Sequence, residues 1–459
     1  MVGASGDAAV SQPARSRSEA SDRPLPGGSG PELLSRAGRE LLGRLAGQDV
    51  RPERALALAT ALRTEYPPEL VAAALTQQAL RIAALAKFSQ ADQMLFTRAG
   101  LEQASSELTA RHAAARFAGL RLVADLCCGI GGNLIALAGA DRTDTAGPGA
   151  GAGAGAGAGP GRQVLAVDLD LTSLEFARHN LAVCAPSARA GFVCADVRDV
   201  QLAAVDAVFI DPARRGERGR LRSGHYQPPL DWCVRLADTV RYVGIKAAPG
   251  LRKELVPPGW ETEFVAVGRE LKQALLWSPA LATAASRATV LPSGDTLAGM
   301  PDRAGRGMPD RAGRGTPRGR GAPEPANRQE PVPLAPPGAF LLDPNPAVTR
   351  AGLVAQLALM LGAWQIDPMI AFLSSNEPVR TPFARTLRVV ESAPWHEKRF
   401  AARLRELGIG SADIRRRGLA GDVAQIHRRL GLRGDGAATT VLTRVDDRPW
   451  GLICTPVTR

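Results

Sequence analysis

The eleven residues Val123-Ala-Asp-Leu-Cys-Cys-Gly-Ile-Gly-Gly-Asn133 constrain the fold of this chain more than any other segment. A short apolar run reaches Asp125, the glycines Gly129, Gly131 and Gly132 follow, and Asn133 opens a helical stretch to Ala140. Glycine lets the backbone turn tightly and approach a ligand with no Cβ in the way. The start of a helix adds unpaired N–H groups and a positive field. A strand, a glycine turn and a helix in that order predict a ligand site at the carboxyl edge of a parallel sheet.

The chain beyond this turn supports that sheet. Val164–Val167, Gly191–Cys194, Ala207–Ile210 and Tyr242–Ile245 are short buried strands, and Leu174–Cys184 and Leu230–Val240 read as helices between them. Such alternation predicts an α/β layer with a mainly parallel sheet over residues 119–291. Residues 32–118 carry helical periodicity with few breakers and form a helical N-terminal region. Met1–Pro31 is rich in Ser, Gly, Ala and Pro without an apolar core, and reads as a disordered leader, not a secretion signal. Residues 292–338 read as a disordered Arg/Gly/Pro-rich linker and include a tandem octapeptide, Met300–Gly307 repeated at 308–315. Residues 339–380 are expected to be a helical connector, with a helix near Val348–Trp364, and 381–459 a small basic α+β domain.

Composition narrows the class. No apolar stretch is long enough to cross a bilayer. The six cysteines, at 127, 128, 184, 194, 233 and 454, include no Cys-x-x-Cys pair, so a disulfide scaffold or a zinc site is not expected, and a reducing cytoplasm fits best. The formal net charge is +12, and residues 380–459 hold sixteen cations against eight carboxylates. That concentration favours a polyanionic partner, nucleic acid above all.

Four acids in register define the ligand. A dinucleotide fingerprint wants a third glycine where Leu134 stands. Asp125 is also misplaced for a pyrophosphate and suits the cationic amino-acid end of S-adenosylmethionine. Asp168 ends the second strand, where an acid accepts from ribose hydroxyls, and is preferred to Asp170 because it directly ends the apolar run. It follows Gly131 by 37 residues, and excising the fifteen-residue Ala/Gly/Pro tract Gly147–Gly161 as a loop insertion restores a spacing of 22, close to the usual value. Asp196, after the third strand, is placed for the adenine amino group, with Val197 beside the ring. Asp211-Pro212 closes the fourth strand where methyl donor and acceptor would meet, with Arg214 and Arg215 placed for acceptor phosphates. Lys246 stands at the same sheet edge, either orienting a phosphate or base or snorkelling from the edge.

The order Asp-x-x-Cys-Gly-x-Gly-Gly-Asn, Val-Asp-x-Asp, Ala-Asp-Val, Asp-Pro resembles the class I S-adenosylmethionine-dependent methyltransferases. The resemblance implies a Rossmann-like, mainly parallel seven-stranded sheet and assigns the turn Cys127, Gly129, Gly131, Gly132 and Asn133 to the donor. Leu95-Phe-Thr-Arg-Ala-Gly-Leu-Glu-Gln103 is similar to a stretch in the RNA-modifying branch that includes the trimethylguanosine synthases, which implies that Thr97 and Gln103 close over the donor. Ser411-Ala-Asp-Ile-Arg-Arg-Arg-Gly418, with Pro382-Phe383 and Thr439–Arg444, resembles the THUMP-like module that bacterial, notably actinobacterial, methyltransferases carry at the C-terminus. There Arg415, Arg416 and Arg417 are the candidate RNA contacts. The implied activity is methylation of RNA, tRNA or rRNA. The alternatives are a protein or small-molecule acceptor, or a donor-binding RNA-binding protein without turnover. Two departures bear on the acceptor. Ala213 and Arg214 replace the Pro-aromatic pair of amino-group methyltransferases, and no cysteine follows the fifth strand to serve covalent uracil chemistry.

Overall fold

The computed structural model describes residues 30–139, 162–213, 215–216, 219–220, 226–299, 331–419 and 421–457. The leader up to residue 29, the tract 147–161, the octapeptide repeat and Arg214 lie outside the described residues. The chain divides into two units, residues 1–83 and 84–459. The first holds helices α1 (Arg36–Leu45) and α2 (Pro52–Leu62), and α3 (Pro68–Ala84) runs to its end. The Ser35 hydroxyl accepts from the Gly38 N–H to cap α1, and proline opens α2 and α3, where its missing N–H costs no helix bond.

The second unit is built on two sheets. The larger comprises β1 (Leu122–Leu126), β2 (Gln163–Asp168), β3 (Arg189–Cys194), β4 (Ala207–Ile210), β5 (Tyr242–Ala247), β6 (Glu261–Val267), β7 (Glu270–Trp277), β8 (Ser286–Leu291) and β9 (Asp295–Ala298). Their order across the sheet is β9-β8-β6-β7-β5-β4-β1-β2-β3. Strands β3 to β5 run parallel through β1, and β7 is antiparallel to both β5 and β6. The expected seven strands are present, and the β8–β9 hairpin widens the sheet to nine. That hairpin also displaces the expected start of the linker: residues 292–299 complete the hairpin, with Leu297 buried in the core.

Helices α4 (Arg98–Gln103) and α5 (Glu107–Ala115) belong to this second unit, so the helical region expected over 32–118 is not one block. The reason is packing: Ala110, Ala113, Ala114 and Phe117 lie in the same apolar cluster as Phe209, Leu275 and Trp277 on one face of the sheet. That face also buries carboxylates. Glu263, 1% exposed, accepts from Trp277 Nε1, Thr289 Oγ1 and His112 Nε2, and Glu261 pairs with Arg116 and Arg287. Helices α6 (Gly132–Gly139) and α7 (Leu171–Cys184) follow β1 and β2, and α8 (Leu230–Arg235) precedes β5.

The smaller sheet comprises β10 (Phe340–Pro344), β11 (Trp364–Gln365), β12 (Leu373–Ser375), β13 (Ala384–Pro394), β14 (Ile409–Arg416), β15 (Gly436–Val445) and β16 (Arg448–Pro456), ordered β11-β12-β10-β13-β16-β15-β14. Three of its strands fall in residues 339–380, which are therefore no helical connector. The helix expected near 348–364 is two, α9 (Pro346–Ala351) and α10 (Val354–Leu361), because Gly352 takes a left-handed conformation (φ +72°) that ends α9. Helices α11 (Glu397–Glu406) and α12 (Val423–Leu430) pack Phe400, Leu404, Ile426 and Leu430 against β14–β16.

Candidate active site

The site forms at the carboxyl ends of β1 and β4, where the strand order reverses. β1 ends on Asp125 and Leu126, and Cys127 and Gly129 follow in left-handed backbone (φ +60° and +54°) before Gly131 at φ +91°. A Cβ on Gly131 would lie 3.2 Å from both Cα and Cβ of Ala177, so this glycine is required by close approach as well as by conformation. The turn is tied from several sides. Cys128 N–H donates to Val167 O, Gly129 N–H to Asp168 Oδ2 at 2.7 Å, and Asn180 Nδ2 to Ile130 O at 2.9 Å.

Asp125 is completely buried, and neither carboxylate oxygen has a hydrogen-bond partner. Burial, with repulsion from Asp211 and Asp168, pushes its carboxyl well above the ordinary range. A buried carboxylate without a partner is costly unless something cationic arrives to meet it. Asp168 sits beside it, raised by burial but steadied by N–H bonds from Asp170 and Gly129. Asp170 is spent on the start of α7, accepting from the N–H groups of Thr172 and Ser173. Asp196 accepts from the Arg198 side chain and N–H, which hold it at about 2, and Val197 next to it is buried.

Asp211 lies just past β4. Its Oδ2 accepts from Lys246 Nζ at 2.6 Å, and more weakly from Asn133 Nδ2 at 3.4 Å. Lys246, on β5, is 4% exposed and also reaches the backbone carbonyl of Gln103 at 3.4 Å. Pro212 is buried behind Asp211. Burial raises the thiols of Cys127, Cys128 and Cys233, the last to about 12, which keeps all three protonated and non-nucleophilic at neutral pH.

The structure brings Asp125, the glycine turn, Asn133, Asp168, Asp211 and Lys246 together. Thr97 has a local role as the cap of α4, accepting from Gly100 N–H at 2.9 Å, while the Gln103 side chain is exposed. Arg415 and Arg416 lie at the end of the edge strand β14, paired with Asp413 and the Leu419 carbonyl. Arg417 turns inward to Asp343 Oδ1 at 2.9 Å and over the ring of Phe372. Sequence reasoning missed Asn180, completely buried, which bonds both N–H and carbonyl of Leu95 and so pins the segment before Thr97 to the glycine turn. Its signal was present: Leu174, Ala177 and Leu181 define the buried face of α7, and Asn180 stands on it.

The chain is 33% identical over 365 residues to a Mycobacterium tuberculosis (strain H37Rv) protein named as an uncharacterized S-adenosylmethionine-dependent methyltransferase, a match covering 77% of this chain and 85% of the relative. The chain belongs to the S-adenosylmethionine-dependent methyltransferases. The donor of this methyltransferase is S-adenosylmethionine, and the unpaired, buried Asp125 beside a helix start and a left-handed glycine turn fits the ammonium and carboxylate of its amino-acid end. A crystal structure of a Porphyromonas gingivalis W83 protein assigned as a methyltransferase shares the fold, with a TM-score of 0.66 at 18% identity over 92% of this chain and 99% of that one. Residues 384–456 of the methyltransferase match a THUMP domain-like family, and residues 31–84 match a domain of unknown function. Among the described residues no helix is long and apolar enough to cross a membrane.

Proposed function

We propose that this methyltransferase acts on RNA, tRNA or rRNA, in the manner of the RNA-modifying branch that includes the trimethylguanosine synthases. The observation that carries the reading is the union of a methyltransferase core with a THUMP-like sheet whose edge strand β14 ends in the exposed Arg415 and Arg416, inside a segment of net charge +8. Cations on an exposed edge neutralise phosphates without reading sequence. Arg417 is spent on Asp343, so the two neighbouring arginines carry this contact.

In this reading Asp125 holds the amino-acid end of the donor, Asp168 its ribose, and Asp196 with Val197 its adenine. The bound donor supplies an electrophilic methyl group on a sulfonium. Lys246 and Asn133 both engage Oδ2 of Asp211, which leaves Oδ1 to accept a hydrogen bond from the acceptor's nucleophile and draw it into line. Rate then comes chiefly from positioning. The test is tritium transfer from labelled donor into fractionated RNA, followed by mass spectrometry of nucleosides from deletion and wild-type cells. Loss of one modified nucleoside is the expected result, and label confined to protein or small molecules overturns the reading. The double variant Arg415→Glu, Arg416→Glu should weaken RNA binding with a shallower salt dependence and leave donor affinity intact.

A further inference from the structure

A cleft of about 780 Å³ opens between the 85–89 and 102–109 segments and the β6–β7 hairpin, and Lys246 stands in its wall. Because Lys246 also holds Asp211, the cleft leads directly to the proposed transfer point. The chain contains only five lysines among 57 cationic side chains, and three of them, Lys87, Lys246 and Lys272, line this one cleft. The lysines act on one another: burial, then repulsion from Lys246 and Lys272, lowers the Lys87 ammonium.

Their settings differ. Lys87 donates to the carbonyls of Leu101, Glu102 and Ala104 and is thereby saturated, contributing field but no free donor. Lys272 is the exposed cation, paired with the still more exposed Glu270, an ion pair of little worth in water. Arg111 is held by Glu107, and Leu85 and Val267 supply apolar wall. Ser105, also lining the cleft, is 5% exposed and its hydroxyl has no hydrogen-bond partner. Such a volume lies within the usual ~300–1,000 Å³ range for small ligands and is far too small for a duplex.

We propose that this cleft seats a single nucleotide of the acceptor strand, with its phosphate on Lys272 and its base directed inward past Leu85 and Val267 toward Lys246 and Asp211. The inference rests on the RNA reading and narrows it to a nucleotide in single-stranded or extruded form. Lys246 marks the inner end because it is buried, and Lys272 the outer end because it is not.

The test uses the full-length protein saturated with S-adenosylhomocysteine, titrated with labelled random-sequence single-stranded RNA decamers. The four 5′-mononucleotides, their nucleosides and inorganic phosphate then serve as competitors. Mononucleotides should compete at least about tenfold better than nucleosides, in line with one charge-assisted contact. Lys272→Ala should remove that preference and lower the salt slope of RNA binding by about one. Lys272→Arg should restore both, and Lys253→Ala, a lysine outside the cleft, should change neither. Unchanged nucleotide preference in Lys272→Ala, with S-adenosylhomocysteine affinity intact, overturns the assignment, as does inorganic phosphate competing as well as the nucleotides. RNA binding that depends on Arg415 and Arg416 but ignores Lys272 removes the cleft and leaves the RNA reading standing. Lys272-dependent binding of mononucleotides without any binding of RNA keeps the cleft as a nucleotide site and sinks the RNA reading.

Discussion

Lys246 Nζ lies 2.6 Å from Asp211 Oδ2 and bridges the ends of two neighbouring parallel strands, β4 and β5. The pair is mostly withdrawn from water, so the bond is strong only while both partners are present. Lys246→Met and Asp211→Asn should each lower kcat by about 10²-fold, the scale seen when one preorganised group at a reacting centre is removed. Titration calorimetry should find donor affinity within about threefold of wild type. The double variant should be little worse than either single one, since the two side chains act as a unit. Additive losses would falsify the pairing as the functional unit.

Asp125 sets stability against binding. Its carboxyl is raised by burial, so the folded state holds its proton more tightly than the unfolded chain does. Any stability from that proton is fully present only below the unfolded value near 3.8 and is lost as pH rises through the folded one. Ionising the group in the folded, donor-free protein is therefore a penalty until the donor's ammonium meets it. Asp125→Asn should raise the melting temperature of the donor-free protein by about 2–4 °C and reduce donor affinity by more than about tenfold. Wild-type donor affinity should itself climb with pH as Asp125 ionises. A variant that is both less stable and still binds the donor normally would remove Asp125 from the role given it.

The buried Glu263 behaves in the opposite sense. Hydrogen bonds from His112, Trp277 and Thr289, with Arg116 nearby, overcome the cost of burial and hold its carboxyl at about 2. Its contribution is present above the unfolded value near 4.5 and disappears as pH falls from there toward 2. Denaturant melts between pH 7 and pH 3 should lose stability on the order of 2 kcal/mol through this group. Glu263→Gln should flatten that part of the profile while costing stability at pH 7. An acid profile unaltered by the substitution would show that other groups govern it.

How far the sequence disclosed this arrangement depended on how local each signal was. Asp125, the glycine turn, Asp168 and Asp211 are legible because each ends a short apolar strand, and strand order then fixes where those ends converge. Asn180 and Lys87 are different: each acts on backbone groups of another segment, as Asn180 does on Leu95 85 residues away. The helical reading of 339–380 failed for a related reason. Phe340–Pro344 is buried along its whole length between β12 and β13, Asp343 included, so no alternation of apolar and polar residues announces a strand. The Thr97 hydroxyl, expected at the donor from family likeness, also caps α4 by accepting from the Gly100 N–H.

Asp343 joins the two sheets of the second unit and links the proposed RNA module to the wall of the cleft. It is 3% exposed and accepts from Arg269 at 2.7 Å and Arg417 at 2.9 Å. Arg269 lies at the tip of the β6–β7 hairpin, whose strands carry Val267, Lys272 and Gln273 into the cleft. Asn345, following the same strand, donates to the Gly268 carbonyl at 2.8 Å and fastens the tip a second time. Arg417 lies immediately beyond Arg415 and Arg416, so the edge proposed to hold RNA is connected to the hairpin through one carboxylate. Asp343→Asn should destabilise the protein by about 2–3 kcal/mol, because two partly buried guanidinium groups lose their counter-ion. In a variant kept folded at low temperature, RNA affinity should stay within about threefold while kcat falls roughly tenfold, since a loosened hairpin misplaces the acceptor without weakening the grip on its backbone. Asp343→Glu should recover part of the turnover. Equal losses of RNA affinity and turnover in every variant would instead mean that Asp343 holds up the fold and transmits nothing to the cleft.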